Sequence, residues 1–522
     1  MRLLPLARFV ALVGLPAGLF AAPIVSAQTA DRLGAIQFPN SGAPRAQAPF
    51  LRGMKLYWSF EYAAAAQAFR EAQHQDPAFA LAYVGEALTY THQVWNQQDM
   101  VAARAALMRL APTAAARAAK APTSRERLYL ALAEALYGDG SKPRRDTLFA
   151  AAAAQLLDAH PADDEARTFR ALALLGLNQG EREPVAYMQA GSLAEEVLRR
   201  NPNHPGAAHF VIHAFDDPVH APLGLWAARR YAVIAPDAPH ALHMTSHIFL
   251  AMGMWDDVLD VNRRALSVPG TAPARMPMRG CGHYGEWLHY GHLQAGRIAE
   301  ATALLRACVA NPPVDSLVDG VEGLAGARAA HLADAPATVP TMPASQERGS
   351  VEATAYWQYG NGLEAAARQD HPAVRDAIRA LTAPITGADP RVQLNRRAFA
   401  VELRALIGEA TVDDLEPFAR ELEARPVEFG PPIISKPVRE LRAELLLAAG
   451  QAAAAQREFE RALAATPGRS RSLLGLAQAA LAAGDTVIAR QAVMQLQRNW
   501  HAADADLPER AVLNALVARL AR

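Results

Sequence analysis

The chain is short of several things, and each shortage narrows what it can be. It has only two cysteines in 522 residues, Cys281 and Cys308, so at most one intrachain disulfide is available. It has no excess of either charge: Lys+Arg and Asp+Glu both number 52. That balance gives no electrostatic footprint for nucleic acid or for an anionic membrane surface. After the first residues no segment is long and apolar enough to span a bilayer. Alternating strand patterns and hairpin turn signals are nearly absent, which points to an almost entirely α-helical chain. The sequence also lacks GxSxG and HExxH, so no motif names a reaction.

What remains begins with a leader. Arg2 and Arg8 flank an apolar stretch from Phe9 to Ala22, and Val25-Ser26-Ala27 precedes Gln28. This is the pattern of a signal peptide over residues 1–27, broken by Pro16 and too short for a membrane anchor. The mature chain is then expected to be periplasmic or secreted, with no integral membrane segment. In such a compartment Cys281 and Cys308 are free to pair. Ligation of a metal by Cys281, beside His283, and two free buried thiols are the alternatives.

A repeat runs through the chain. Gly53, Ala65, Phe69, Ala72 and Pro77 fall at positions 8, 20, 24, 27 and 32 of a 34-residue unit. Ala443, Ala455, Phe459, Ala462 and Pro467 repeat the same register near the other end, within residues 436–500. This pattern resembles the tetratricopeptide repeat, in which small residues let two antiparallel helices pack closely. The expected fold is therefore an all-α solenoid of helix pairs, which a length-based domain count does not describe. Further pairs are readable near 80–115, 125–160, 164–200, 205–238, 239–268 and 283–311. Residues 28–331 read as an N-terminal array, the Pro- and Ala-rich stretch 332–349 as a linker, and 350–522 as a C-terminal array. A second break is read at Pro426–Pro437.

Histidine is concentrated, not scattered. Ten of the sixteen lie between His204 and His292. His209 and His213 are four apart; so are His243 and His247, with His240 three residues before. Side chains three or four apart share one helix face. In the repeat register His209 and His213 take positions 5 and 9 of one unit, and His240, His243 and His247 take 2, 5 and 9 of the next. Aligned on Gly296, Ala301 and Leu305, the third unit puts His283, Glu286 and Tyr290 at those positions. In the repeats this pattern resembles, these positions on the first helix line a concave groove that binds peptides. Equal positions on stacked helices predict convergence of His209, His213, His243 and His247, with His240 and His283 at the rim. Neutral imidazole ligates zinc, copper, iron and nickel, and a pair at i and i+4 can chelate one ion.

Three uses of the cluster follow. The first is a binding module holding a transition metal (zinc, copper or iron) with a peptide or small-molecule ligand in the groove. The second is a metal-dependent, hydrolase-like enzyme in which Glu286 or Asp216 accepts a proton from a metal-bound water. The third is a metal-free peptide scaffold. Asp216-Asp217-Pro218 also reads simply as a turn and cap. Tyr57, Trp58, Glu61 and Tyr62, with His92, Trp95 and Gln97, read as packing and loop residues that would face the hollow only if the array curled back on itself. Asn499-Trp500-His501 with Asp504 reads as a terminal cap.

The segments NPNHPGAAHFVIHAFDDP and APHALHMTSHIFLAMGMWDD are similar to a family of exported bacterial tetratricopeptide-repeat proteins with paired HxxxH motifs. FGPPIISKPVRELRAELLLAAGQ, ATPGRSRSLLGLAQAALAAGD and RNWHAADADLP resemble the C-terminal part of the same family. The resemblance covers most of the mature chain. It implies a helical superhelix with His209, His213, His243 and His247 in the family's pattern, and it carries no settled activity.

Overall fold

The computed structural model describes residues 32–177, 182–269, 282–310, 318–336, 350–385, 390–424 and 430–522. It is 75% helical. Twenty-five α-helices follow one another among the described residues, almost all paired with their sequence neighbours. The strands Thr91–His92 and Gln97–Gln98 form the one small antiparallel sheet among those residues.

The small residues of the register do what close helix packing requires. In the first pair, Pro44–Trp58 and Tyr62–Gln75, Ala65, Phe69 and Ala72 are fully buried. The Phe69 ring fills the space beside Gly53 and Gly85, where an added Cβ would meet it at 2.8 and 2.5 Å. Near the C-terminus Ala443, Ala455, Phe459 and Ala462 repeat this arrangement. The expected helical pairs are all present: Asp164–Gly176 with Pro184–Arg200, Pro205–Phe215 with Ala221–Ile234, Pro239–Ala251 with Trp255–Ser267, and His283–Gln294 with Ile298–Ala310.

One element has no counterpart in the sequence reading. The helix Val318–Asp334 packs against both His283–Gln294 and Val351–Ala367, and continues the stack across the boundary placed at residue 331. Residues 332–334 are helical; the rest of the expected linker, 337–349, lies outside the described residues, as do 425–429 of the second expected break.

The stack also closes on itself, which positions the site. Residues 32–43 run in extended form across the turns that precede two histidine helices: Ala35 N–H donates to Asn203 O, and Arg32 pairs with Asp237. Glu165, fully buried, accepts from Trp58 Nε1 at 2.7 Å and from His204 Nε2 at 3.1 Å. His204 Nδ1 in turn caps the helix Pro205–Phe215 by accepting from Ala207 N–H. Gly206 permits this docking, because any Cβ there would meet the Trp58 ring at 2.8 Å. At the other end Trp255 Nε1 donates to Gly468 O, and Trp500 Nε1 to Gln294 O. Trp500 and Asp504, read as a cap, therefore dock on the middle repeats; Asp504 accepts from Ala299 N–H.

Candidate metal centre

The first helices of two successive pairs, Pro205–Phe215 and Pro239–Ala251, begin with proline at their first turn, where a missing N–H costs nothing. Their i, i+4 spacing then points His209 with His213, and His243 with His247, to the same side. The structure brings the six histidines together as two groups of three. His209, His213 and His240 offer one nitrogen each within 4.8 Å of one another, and so do His243, His247 and His283. The two triads touch: the His213 and His247 ring centroids are 5.9 Å apart, and those of His240 and His243 6.1 Å. The sequence placed His209, His213, His243 and His247 at the centre and His240 and His283 at the rim. Instead each triad draws one of the two outer histidines inward.

The histidines are not in an open groove. His209 and His243 are fully buried and His213, His240 and His247 nearly so, while His283 retains 38% of its side-chain exposure. The roof comes from the N-terminal repeats. The Phe60 ring lies 4.3 Å from His209 and stacks 5.5 Å from His240. Trp95, at the tip of the small hairpin, meets Phe60 and His240 edge-on, and Tyr62 stacks on His92 at 4.0 Å. Tyr62, His92 and Trp95, read from the sequence as packing and loop residues, and Phe60, which the sequence reading does not single out, form one wall because the array curls back.

The floor comes from the third histidine helix, with a register one residue away from that expected. Tyr284 stacks on His243 at 4.4 Å, and Trp287 lies 4.9 Å from His243 and 4.6 Å from His247. Tyr290 points away, to Arg469. Glu286 lies beside His283, 3.8 Å from its Nδ1, and packs against Gly326 on the helix Val318–Asp334. The segment 270–281 that sets this register lies outside the described residues, and Cys281 with it. Cys308 is buried on Ile298–Ala310.

The hydrogen bonds have a common sense. His209 Nδ1 donates to Trp58 O at 2.7 Å, His243 Nδ1 to Asn262 Oδ1 at 2.7 Å, and His247 Nδ1 to Asp216 Oδ2 at 2.9 Å. A proton held on Nδ1 leaves the Nε2 lone pair free. The Nε2 atoms of His209, His213, His240 and His243 are buried and have no hydrogen-bond partner among the described residues. Burial holds these rings neutral: it pulls the pKa of His209, His240 and His243 well below the usual value, with mutual repulsion adding to it, and that of His247 to about 4.

Asp216 is the one carboxylate tied to both triads. It accepts from His247 Nδ1 and lies 3.7 Å from His213 Nδ1. Burial alone would raise its pKa, but the paired Arg182 guanidinium and the two histidines outweigh this and hold it well below the usual carboxylate range. Asp217, by contrast, is the turn cap, accepting from the Val219 and His220 amides. Of the two candidate proton acceptors, then, Asp216 orients imidazoles and Glu286 stands outside the cluster beside His283. In the sequence Asp216 reads as a candidate proton acceptor, and Asp216-Asp217-Pro218 together as a turn and cap. Both follow the helix end, and only the 31-residue reach to His247 separates their roles.

No family model and no curated protein matches this chain. Among solved structures, a chain of the APC/C hetero-tetramer Cut9–Hcn1 aligns over 94% of this chain and 79% of its own length, with 12% identity and a TM-score of 0.29. The tetratricopeptide-repeat domain of P58(IPK) aligns over 91% and 98%, with 11% identity and a TM-score of 0.20. Both are repeat proteins, and similarity at this level carries nothing about a ligand.

Proposed function

We propose that this chain is an exported helical-repeat binding module whose histidine cluster holds a transition metal, with the mouth at His283 open to a peptide or small-molecule ligand. One observation carries the metal reading: four buried Nε2 atoms have no hydrogen-bond partner among the described residues, on histidines that converge in two groups of three, with the His209 and His243 rings held through Nδ1. An unsatisfied buried polar atom costs about 1–3 kcal/mol. A cluster of them is expensive to maintain unless something occupies it. Nδ1 bound to a carbonyl, amide or carboxylate and Nε2 bound to metal is the usual division of labour at a histidine ligand. An all-imidazole donor set suits zinc, copper or iron and disfavours the hard ions calcium and magnesium. Export rests on the leader at Phe9–Ala22. Binding is preferred to hydrolysis because Asp216 is held charged by Arg182 and Glu286 stands off the cluster.

The test is elemental analysis of tag-free protein purified from the periplasm, and again after loading with zinc, cobalt or copper and desalting. Stoichiometric metal is expected. His213→Asn with His247→Asn should lower retention at least ~100-fold and leave the helical circular dichroism signal in place. Protein that retains no metal after loading would leave a metal-free peptide scaffold as the reading.

A further inference from the structure

The two triads differ in what covers them and in the exposure of one member. His209, His213 and His240 are sealed beneath Phe60, whose ring contacts all three imidazoles. Phe60 holds a left-handed backbone, with φ of 54°, just after the helix Pro44–Trp58 ends. A bulky residue rarely adopts that conformation, and it persists only where the surroundings enforce it. Here it turns the chain so that the ring covers the first triad. Among the described residues His243, His247 and His283 carry no such cover: Tyr284 and Trp287 wall them on one side, and the His283 side chain remains over a third exposed.

The second observation is connectivity. Asp216 reaches His247 of one triad and His213 of the other. No histidine is shared between the triads. Three imidazoles leave a transition ion at least one coordination position short of tetrahedral. Phe60 lies over the first triad, while in the second the partly exposed His283 gives an added ligand a way in.

Resting on the metal reading above, we propose that the cluster is two sites and not one: a closed three-histidine site under Phe60 and an open one at His283. Each holds one ion, and the open ion keeps an exchangeable position for a small anion. Charge supports the anion. Imidazole as a metal ligand brings no charge of its own, and Asp216 is already paired with Arg182. Glu61 accepts the His240 amide, and Glu286 lies beside His283, so both sit at the edge of the donor set. Two divalent ions a few ångströms apart therefore leave positive charge that an incoming anion offsets.

The test uses the full mature chain loaded with cobalt(II), whose spectrum reports coordination. Two ions per chain are expected, one released to a chelator quickly and one at least tenfold more slowly. Azide should perturb the spectrum of the fast ion alone. His283→Ala, at a half-exposed position, should reduce the count from two to one and remove the fast, azide-sensitive phase. Phe60→Ala should keep both ions and accelerate the slow phase. One ion per chain, two ions released together, or His283→Ala that loses both or neither would overturn the two-site assignment. No bound cobalt at all would overturn the metal reading itself.

Discussion

Two of the buried polar clusters among the described residues solve the cost of burial in opposite ways. Around Arg469 every strong charge has an internal partner. Its guanidinium binds Glu440 at 2.7 and 2.9 Å and Asp334 at 2.7 and 3.2 Å, and donates to Tyr290 Oη at 3.1 Å. Gln294 and Ser472 complete the carboxylates. Burial pulls the Arg469 pKa down, but the two carboxylates outweigh it and raise the value, leaving the group firmly charged. In the histidine cluster the Nδ1 atoms of His209, His243 and His247 are satisfied, while the Nε2 atoms of His209, His213, His240 and His243 have no hydrogen-bond partner among the described residues. The first arrangement is complete within the chain and ties the middle repeats to the C-terminal ones. The second is complete only with something added. The comparison shows how a structural network and a binding site can share burial yet differ in whether the fold itself closes the hydrogen-bond account.

The sharpest way to break the contrast is at Arg469. Arg469→Met leaves Asp334 and Glu440 buried and unpaired, and should cost roughly 3–5 kcal/mol in urea unfolding while metal content per folded chain stays constant. If stability barely moves, the Arg469 network is not a structural tie. If metal is lost from folded protein, the two clusters are one.

Acid should come next, and it strikes the histidine cluster together with other buried imidazoles. Burial depresses the folded-state pKa of His209, His240 and His243 well below the usual value, and likewise that of His289, which pairs with His331. His247, His292 and His331 are depressed to about 4. The unfolded chain then binds protons that the fold refuses, so stability is full above about 6.5 and is lost as pH falls from there towards 4. Each unit of depression contributes about 1.4 kcal/mol, so the metal-free protein should lose several kcal/mol between pH 7.5 and 4.5 in denaturant titrations. Metal retention should persist well below pH 6.5, lower than free imidazole would allow, because the rings are already neutral. A flat stability profile would show that these histidines are not buried in the neutral form.

Asp216→Asn is the smallest and most discriminating change. It keeps the shape and removes the charge shared by His213 and His247, leaving Arg182 without its partner. Metal affinity should fall about 10- to 100-fold, with a shift in the cobalt spectrum and little change in helicity. Unchanged affinity and spectrum would reduce Asp216 to a partner of Arg182.

Much of this was legible locally. The positions of Gly53, Ala65, Phe69 and Ala72, and of their C-terminal equivalents, specify helix pairs because close packing of neighbours depends on residues a few positions apart. The HxxxH spacing likewise sets a shared face, since one helical turn decides it. The third histidine helix was harder. Its register hangs on an insertion between helices, so Tyr284 and Trp287 face the site where Glu286 and Tyr290 were expected. The helix Val318–Asp334 was missed because it carries none of the repeat's marker residues in register.

By itself, then, the sequence determined an all-α repeat architecture and the identity of the clustered imidazoles, because both follow from short-range periodicity. Only the tertiary structure decided that the hollow is roofed by Phe60 and Trp95, that six histidines divide into an enclosed and an open triad, that Asp216 serves both, and that Asp334 meets Arg469 across 135 residues. Those outcomes depend on the rotation accumulated from one helix pair to the next. No local pattern encodes that sum: it is fixed only when the whole stack has closed.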